Sequence, residues 1–326
     1  MCESRKYRKL TRVNLGGEFD PELSLLFDDM AAPGMFYALE RHFWIELWRV
    51  PVVEAVEEQG IEARHYGPVR VFAFPHEPRT PLFNIVLGAD RPGAVERGHL
   101  AEALDWTESL GLDCRVPVRK EGEFGEPDAA EDHLNRRGYR RTGTLATLAR
   151  SAAPPGFSAP PGIEVEELVD ESMIETFSHL LAPAYGLEWS GHGFIVGLPG
   201  KRNWRTYVAT DSEGPLAAAA MMMHYETPQL AFAGTAEEGR GKGAHMALLH
   251  RRIEDAHAAG AGQLFAVTEE PLDYPDGESA AARNLVRAGF QVVGIRTVWQ
   301  PPEELIAPAE EGEDEEGEED GFTLAG

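Results

Sequence analysis

The clearest alternation of apolar and polar positions follows the middle of the second half of the chain, in residues 244–260. Its apolar residues recur at spacings of three and four: Met246, Leu249, Ile253 and Ala256. This spacing puts them on one face and predicts an amphipathic helix that ends near Gly260. An apolar run over residues 230–233 lies just upstream between turn signals and predicts a buried strand.

A glycine-rich loop joins this strand to the helix. It contains three glycines and two cations: Gly239, Arg240, Gly241, Lys242 and Gly243. The first turn of a helix has free backbone N–H groups, and glycines let a phosphate approach them. Arg240 and Lys242 add positive charge beside these groups. The loop therefore predicts a diphosphate site. A simple helix cap with solvated cations is the alternative, because neither a Walker A loop nor a Rossmann fingerprint fits.

The elements on either side of this loop form a regular series. Strands are expected over 204–210, 216–225, 263–268 and 291–299, and helices over 173–185 and 279–288. The helix over 279–288 ends at the pair Gly289–Phe290. In the first half, strands are expected over 69–74, 81–88, 114–118 and 141–149, with helices over 100–110 and 128–137.

The two halves end alike. Three features of the first half recur 151 residues later: Leu134 at Leu285, Arg136 at Arg287, and Gly138–Tyr139 at Gly289–Phe290. A Pro-, Gly- and Ser-rich linker, residues 151–162, separates the halves. We infer an internal duplication of one α/β unit. The alternative is that two unrelated helix–glycine–aromatic–strand endings coincide.

Residues 163–300 resemble the GNAT family of acyl-CoA-dependent N-acyltransferases. In that family an R/Q-x-x-G-x-G/A signature opens the central helix and holds the CoA pyrophosphate on backbone N–H groups. Arg240-x-x-Gly243-x-His245 matches it, with His245 in place of the usual small residue. The resemblance implies an α/β (α+β) fold with two tandem GNAT-like domains. Each would have a mixed, mostly antiparallel central sheet flanked by helices.

This comparison divides the chain into four parts: a degenerate GNAT-like domain without a CoA loop (1–150), the linker (151–162), a GNAT acetyltransferase domain (163–302) and a disordered acidic tail (303–326). The counterpart of the glycine loop in the first half is expected at residues 91–96. It has a single glycine, while Pro92 lacks an N–H donor and Glu96 is acidic. The first half is therefore expected to support the second and to wall the acceptor cleft.

The resemblance implies transfer of an acetyl group from acetyl-CoA to an amine of a small molecule or peptide. The positions implied for the cofactor are Phe232, Ala233, Gly234, Arg240, Gly241, Lys242, Gly243, Ala244, His245, Ser279 and Asn284. An N-cap is the alternative role of Ser279. Acceptor-binding candidates are Trp189 and His192, in a glycine-rich segment over 186–201, and Tyr225. An ordinary surface loop is the alternative for that segment.

Aminolysis of a thioester needs a base for the amine, a donor for the carbonyl and a way to neutralise the leaving thiolate. His224 and Glu226 are candidate bases at the end of the strand over 216–225, and a backbone N–H of that strand is a candidate donor. The tyrosine acid that the family often supplies is replaced by Leu285. Direct attack with protonation by solvent is therefore the default mechanism.

Composition narrows the function further. The chain of 326 residues is 43% hydrophobic and 26% charged, which suits two globular domains. The net charge is −25, of which residues 310–320 contribute nine negative charges, and this argues against nucleic-acid binding. Two cysteines, Cys2 and Cys114, argue against a disulfide framework or a cysteine zinc site and favour a cytoplasmic protein without a metal.

The partners expected from the sequence are therefore acetyl-CoA and an amine acceptor. The N-terminus has no apolar signal region, and the longest apolar run, 216–223, is too short to span a membrane. The pattern gives no indication of oligomeric state. A second function class is a non-catalytic CoA-binding or protein-interaction module, whose acidic surface recruits a basic partner.

Overall fold

The computed structural model describes residues 33–51, 60–119, 128–168, 173–187, 192–223, 227–270 and 280–307. The helices in these ranges are α1 (Pro33–Leu47), α2 (His99–Ser109), α3 (Asp128–Arg136), α4 (Ile174–Leu181), α5 (His192–Val196), α6 (Ala244–Ala258) and α7 (Ala280–Arg287). The strands are β1 (Glu62–Tyr66), β2 (Val69–Ala73), β3 (Ile85–Leu87), β4 (Val116–Arg119), β5 (Arg140–Ser151), β6 (Glu164–Leu168), β7 (Trp204–Asp211), β8 (Gly214–Met222), β9 (Gln229–Thr235), β10 (Gln263–Glu270) and β11 (Gln291–Gln300).

Most strands belong to one eight-stranded sheet in the order β4-β11-β5-β10-β9-β8-β7-β6. All neighbours in it are antiparallel except β9 and β10. The antiparallel strands β1, β2 and β3 form a smaller sheet, which a parallel bridge between Ile85 and Arg115 joins to the start of β4. This mixed, mostly antiparallel α/β architecture confirms the predicted fold class.

The two halves of the chain exchange their closing strands. β5, the last strand of the first half, lies between β10 and β11 of the second half. Along β10 it pairs from Gln263 to Glu270. In return β11, the last strand of the second half, pairs with β4 of the first. The domain boundary expected near residue 150 divides the chain by sequence, but strands on its two sides are hydrogen-bonded to each other in one sheet.

Helices cover both faces of the large sheet. α1, α4 and α5 pack on one face, where Phe43, Phe177 and Phe194 meet alternate residues of β7, β8 and β9. α6 packs on the other face through Leu248, Ile253 and the rest of its apolar side. A third cluster buries α2 and α3 against β2, β4 and their neighbours. The sheet is therefore buried on both sides over its central strands.

Corresponding helices of the halves end in the same way. Gly138 after α3 has φ 82 and Gly289 after α7 has φ 88, both in the left-handed region that favours glycine. The next residue then donates its N–H five residues back, from Tyr139 to the Leu134 carbonyl and from Phe290 to the Leu285 carbonyl, each at 3.0 Å. This is the Schellman closure. The shared closure agrees with a duplicated unit, which stays a prediction.

The chain after β11 returns to the first half. Residues 303–305 form a short 3-10 turn, the Ala307 N–H donates to the Gly111 carbonyl at 2.8 Å, and the Arg79 Nε donates to the Ala307 carbonyl at 2.9 Å. Sequence analysis assigns residues 303–307 to the disordered tail, whereas these two hydrogen bonds hold them in place. The acidic run over 310–320 lies outside the described residues. None of the helices described is both long and apolar enough to cross a bilayer.

The exchanged strand makes the stability of the two halves interdependent. Leu148 in β5 is 0% exposed and packs in the same cluster as α6, so Leu148→Ala should lower the free energy of unfolding by about 2–5 kcal/mol. The exposed Thr142 in the same strand is the control, and Thr142→Ala should cost less than about 0.5 kcal/mol. Urea unfolding followed by circular dichroism and tryptophan fluorescence should give one coincident transition. Two separate transitions, with only one shifted by Leu148→Ala, would contradict the shared sheet.

Candidate functional site

A cleft opens where β9 and β10 separate. These parallel strands pair at only two positions, Gln229 with Phe265 and Leu230 with Ala266. Beyond them the two strands enclose a cavity of about 670 Å³. Its walls come from β9, β10, α6 and α7, and from α1 and the segment over 79–83 of the first half. The cavity therefore lies between the two halves of the chain.

A bulge in β9 shapes one wall of this cleft. Ala233 pairs with Ala219 and Ala231 pairs with Ala220, which leaves Phe232 as an extra residue. Its φ is 24, a conformation that residues with a side chain rarely adopt. The Phe232 ring is held between Tyr185 and Phe43, with centroids at 5.5 and 6.2 Å. Strained backbone of this kind is common at functional sites.

The hydroxyl of Tyr185 is hydrogen-bonded to a backbone N–H next to the bulge. Its oxygen accepts the Ala233 N–H at 2.9 Å, while its own O–H donates to none of the described residues. Burial raises the pKa of Tyr185, so the group remains a neutral phenol. Its position depends on Gly234, because a Cβ there would lie 2.4 Å from the Leu180 carbonyl oxygen. α4 and the turn over 182–185 can therefore lie directly against β9.

The predicted glycine loop leads from β9 to α6 as expected. Gly241 and Gly243 have φ 77 and 96, and the helix begins at Ala244. The N–H groups of Gly241, Gly243, Ala244 and His245 donate to no backbone carbonyl in the described part of the chain. Such a row of free N–H groups at the positive end of a helix can bind an anion without any side chain.

The two cations of the loop differ in their surroundings. The Lys242 Nζ lies 2.9 Å from Asp211 Oδ2 and 3.0 Å from Glu213 Oε2, at the turn between β7 and β8. Its hydrogen bond to Asp211, above all, raises the pKa of Lys242. Arg240 is exposed. The positive charge of Lys242 is thus shared with two carboxylates, and the backbone is the stronger anion site of this loop.

His245 joins α6 to α7 inside the cleft. Its Nδ1 lies 3.2 Å from the Asn284 Nδ2, so two predicted cofactor positions touch each other. Burial first, and then the charge of Arg252, lower the pKa of His245 to about 4. The imidazole is therefore neutral at pH 7 and accepts the amide hydrogen. The half-buried side chain at the irregular signature position lines the cleft.

The first half contributes charged as well as aromatic groups to the cleft. Arg115 pairs with Glu269 of β10 at 2.5 Å, and Glu40 of α1 is bonded to Arg296 of β11. Phe43 and Trp44 of α1 complete this end. Among the described residues, no group of three or more His, Cys, Asp or Glu could hold a metal ion.

The structure brings together part of the predicted site. Phe232, Ala233, His245 and Asn284 lie at the cleft or in contact with its wall, with Gly234 next to them on β9. Ser279, Trp189, His224, Tyr225 and Glu226 lie outside the described residues, and His192 begins α5 with its side chain outside them. β9 borders the cleft, whereas none of the lining residues described comes from β8, the strand whose backbone N–H is the candidate donor to the thioester carbonyl.

Two residues of the cleft were missed by the sequence analysis, Tyr185 and Arg252. Arg252 had a visible signal, since it lies three residues after Leu249 and four before Ala256, on the apolar face of the predicted helix. A charge on that face is out of pattern. Tyr185 had no comparable signal, because its role depends on how α4 meets the bulge.

The start of α2, which corresponds in order to the start of α6, offers fewer free donors. There the N–H groups of Arg97, Gly98 and Leu100 donate to carbonyls of the preceding turn at 3.4, 2.9 and 2.8 Å. In the first half these backbone N–H groups are thus hydrogen-bonded to nearby carbonyls, whereas those at the start of α6 donate to no backbone carbonyl in the described residues.

Comparisons with known proteins bear on the fold. No protein-family model matches the sequence, and no curated protein matches it. A GCN5-related N-acetyltransferase from Sphaerobacter thermophilus is similar in structure, with 13% identity and a TM-score of 0.56 over 74% of this chain and 80% of that one. A tandem GNAT protein from the clavulanic acid biosynthesis pathway has 13% identity and a TM-score of 0.50 over 74% and 79%.

A third similar structure is a conserved protein of unknown function from Staphylococcus epidermidis, with 12% identity and a TM-score of 0.52 over 76% of this chain and 96% of that one. At such low identities the likeness concerns the fold. The chain therefore has the fold of GNAT acetyltransferases, and a tandem GNAT protein is among its neighbours.

The burial of His245 predicts a pH dependence of stability. Its pKa is about 4 in the folded protein and ordinarily 6.5, so between these values the unfolded chain binds a proton that the folded protein does not. The free energy of unfolding should fall by about 2–3 kcal/mol from this source as the pH drops from 7 to 4.5. The variant His245→Gln still offers Asn284 a hydrogen-bond acceptor, but its side chain does not titrate. Urea unfolding at both pH values should show wild type losing more stability than the variant. Equal losses would contradict the buried neutral imidazole.

Proposed function

We propose that this chain is an acyl-CoA-dependent N-acyltransferase that moves an acetyl group from acetyl-CoA to an amine. The observation that carries the proposal is the sequence of features along one cleft. Free N–H groups lie at the start of α6, whose His245 lines the cavity, and Phe232 of the bulge and residues of the first half form other parts of the wall. An anion site beside an enclosed cleft lined by both halves suits a transfer that must hold two substrates together.

In this proposal the diphosphate of CoA binds to the N–H groups of Gly241, Gly243, Ala244 and His245, with Arg240 beside it. The pantetheine arm follows β9 at Ala233 and Gly234, and Asn284 and Ser279 are assigned to the same arm. The backbone carries the anion because Lys242 is engaged by Asp211 and Glu213.

The acyl carbonyl would lie beside the bulge. There the Tyr185 hydroxyl accepts from Ala233, and its own O–H, which donates to none of the described residues, suits a donor to a developing oxyanion. The acceptor amine would approach from the side of Glu40, Phe43 and Trp44. We keep His224 and Glu226 as the proposed bases, and Trp189, His192 and Tyr225 as proposed acceptor contacts. Residues 1–150 serve as the partner without a CoA loop, and residues 163–302 carry the chemistry.

A non-catalytic CoA-binding module is the second candidate. It is favoured by one observation: the Ala233 N–H, which would otherwise be available to a thioester carbonyl, is already bonded to Tyr185. Turnover separates the two candidates. An enzyme releases the CoA thiol from acetyl-CoA when a suitable amine is added, and a module binds acetyl-CoA without release.

Cofactor binding can be tested by reversing one charge on the loop. Gly241 has φ 77 and open space around it, so Gly241→Glu and Gly241→Lys carry the same backbone cost and opposite charges. Acetyl-CoA should raise the melting temperature of the wild type and of Gly241→Lys, because binding to the folded state stabilises it. Gly241→Glu should weaken binding at least tenfold by repelling the diphosphate. Equal shifts in melting temperature for the two variants would mean that the diphosphate does not bind at this loop.

The reaction is tested by mixing the wild type with acetyl-CoA and a panel of amines, including amino acids, polyamines and lysine peptides. A thiol reagent that reports free CoA should show release above the rate of acetyl-CoA hydrolysis for at least one amine. Saturable binding of acetyl-CoA without release from any amine would favour the module.

A further inference from the structure

Arg252 is a buried cation in the wall of the cleft. It is 1% exposed and lies on the third turn of α6. Its Nε donates to the Leu248 carbonyl at 3.1 Å, and its Nη1 donates to the carbonyls of Ala220 and Ala231 at 3.2 and 3.3 Å. In the described part of the chain no carboxylate lies within 4.0 Å of the guanidinium, and Nη2 donates to no acceptor.

A buried charge without a counter-ion is costly. Removal of an ion from water costs several kcal/mol, and neutral carbonyls offset this only in part. Burial lowers the pKa of Arg252 to about 10, which still leaves it protonated at neutral pH. Two half-buried arginines differ in this respect, since Arg115 in the wall of the cleft and Arg296 of β11 each have a carboxylate. A cation in a cavity wall with no carboxylate partner among the described residues points to a ligand that brings a negative charge.

The position of Arg252 relative to the glycine loop indicates which negatively charged group of the ligand it would meet. Arg252 lies eight residues along α6 from Ala244, or about 12 Å along the helix axis. It contacts the carbonyl of Ala231, directly before the bulge at Phe232. Leu285, where the frequent tyrosine acid is absent, lines the same cavity. The guanidinium therefore lies deep in the cleft, near the proposed place of the thioester and not near the diphosphate.

We propose that Arg252 binds the thiolate of CoA as it leaves, and so serves as the electrostatic substitute for the missing acid. This inference rests on the proposed function and names a catalytic residue for it. The amine nitrogen attacks the thioester carbonyl carbon and forms the C–N bond. The C–S bond then breaks, and its electron pair stays on sulfur as a thiolate. The amine proton passes to the general base of the proposed function, while Arg252 remains protonated throughout and supplies only its charge.

A purely structural role has to be separated from this one. The bulge removes regular partners from the carbonyls near Ala220 and Ala231, and Arg252 bonds both. A structural arginine would affect folding and cofactor affinity as a whole. A thiolate site would affect only ligands that carry the sulfur, and only at pH values where the thiol can ionise. Binding of CoA and of desulfo-CoA, which lacks the sulfur, therefore distinguishes the roles without knowledge of the acceptor.

The experiment is calorimetric titration of the full chain with CoA and with desulfo-CoA between pH 6.5 and 9. A free thiol titrates near 8.5, and a bound thiolate paired with a cation titrates lower. In the wild type the affinity for CoA relative to desulfo-CoA should rise at least tenfold over this range. Arg252→Lys should keep part of this rise, and Arg252→Met should abolish it, with desulfo-CoA affinity similar in all three proteins.

The outcomes decide separately on the inference and on the proposed function. A wild-type ratio that does not change with pH would overturn the thiolate site, and so would an Arg252→Met variant that keeps the full pH dependence. If Arg252→Met does not fold, the wild type and Arg252→Lys still decide the question. If neither CoA nor desulfo-CoA binds to the wild type, the proposed function itself fails.

Discussion

The cleft depends on how β10 is held. It shares only two residue pairs with β9 but pairs over its whole length with β5, a strand of the first half. A strand that leaves one neighbour so early would lose most of its backbone hydrogen bonds unless another strand took them. The exchange of closing strands supplies that partner. The sheet can therefore open between β9 and β10 while β10 stays held along its other edge, and the opening becomes a wall of the cavity.

The polar groups of the cleft follow from the same opening. Where β9 bulges at Phe232, the Tyr185 hydroxyl accepts the Ala233 N–H on one side and the Arg252 guanidinium bonds the Ala231 carbonyl on the other. Arg252 is buried and Tyr185 is half-buried, and burial shifts the pKa of each toward its neutral form. Among the described residues the phenol O–H has no acceptor and the guanidinium no carboxylate, and in the proposed reaction negative charge would appear first on oxygen and then on sulfur.

Local features of the site were predictable from the sequence, and features that arise from strand pairing were not. The period of Leu249, Ile253 and Ala256 predicted α6, and the Gly289–Phe290 pair predicted the end of α7, because both depend on neighbouring residues alone. The position of β5 in the sheet was not predictable, because the sequence of an apolar strand does not specify which strand it pairs with. Arg252 interrupts the apolar face of its helix in the sequence, but only the structure shows that it lies in the wall of the cavity. The fold class is confirmed, while the assignment of the cofactor residues stays a prediction.

The most direct test of the account is a crystal structure of the protein with bound CoA. The account predicts diphosphate oxygens within hydrogen-bond distance of the N–H groups from Gly241 to His245, and the sulfur in the cleft between Phe232 and Arg252. A diphosphate bound at the start of α2 in the first half would contradict it. So would a pantetheine arm that stays outside the opening between β9 and β10.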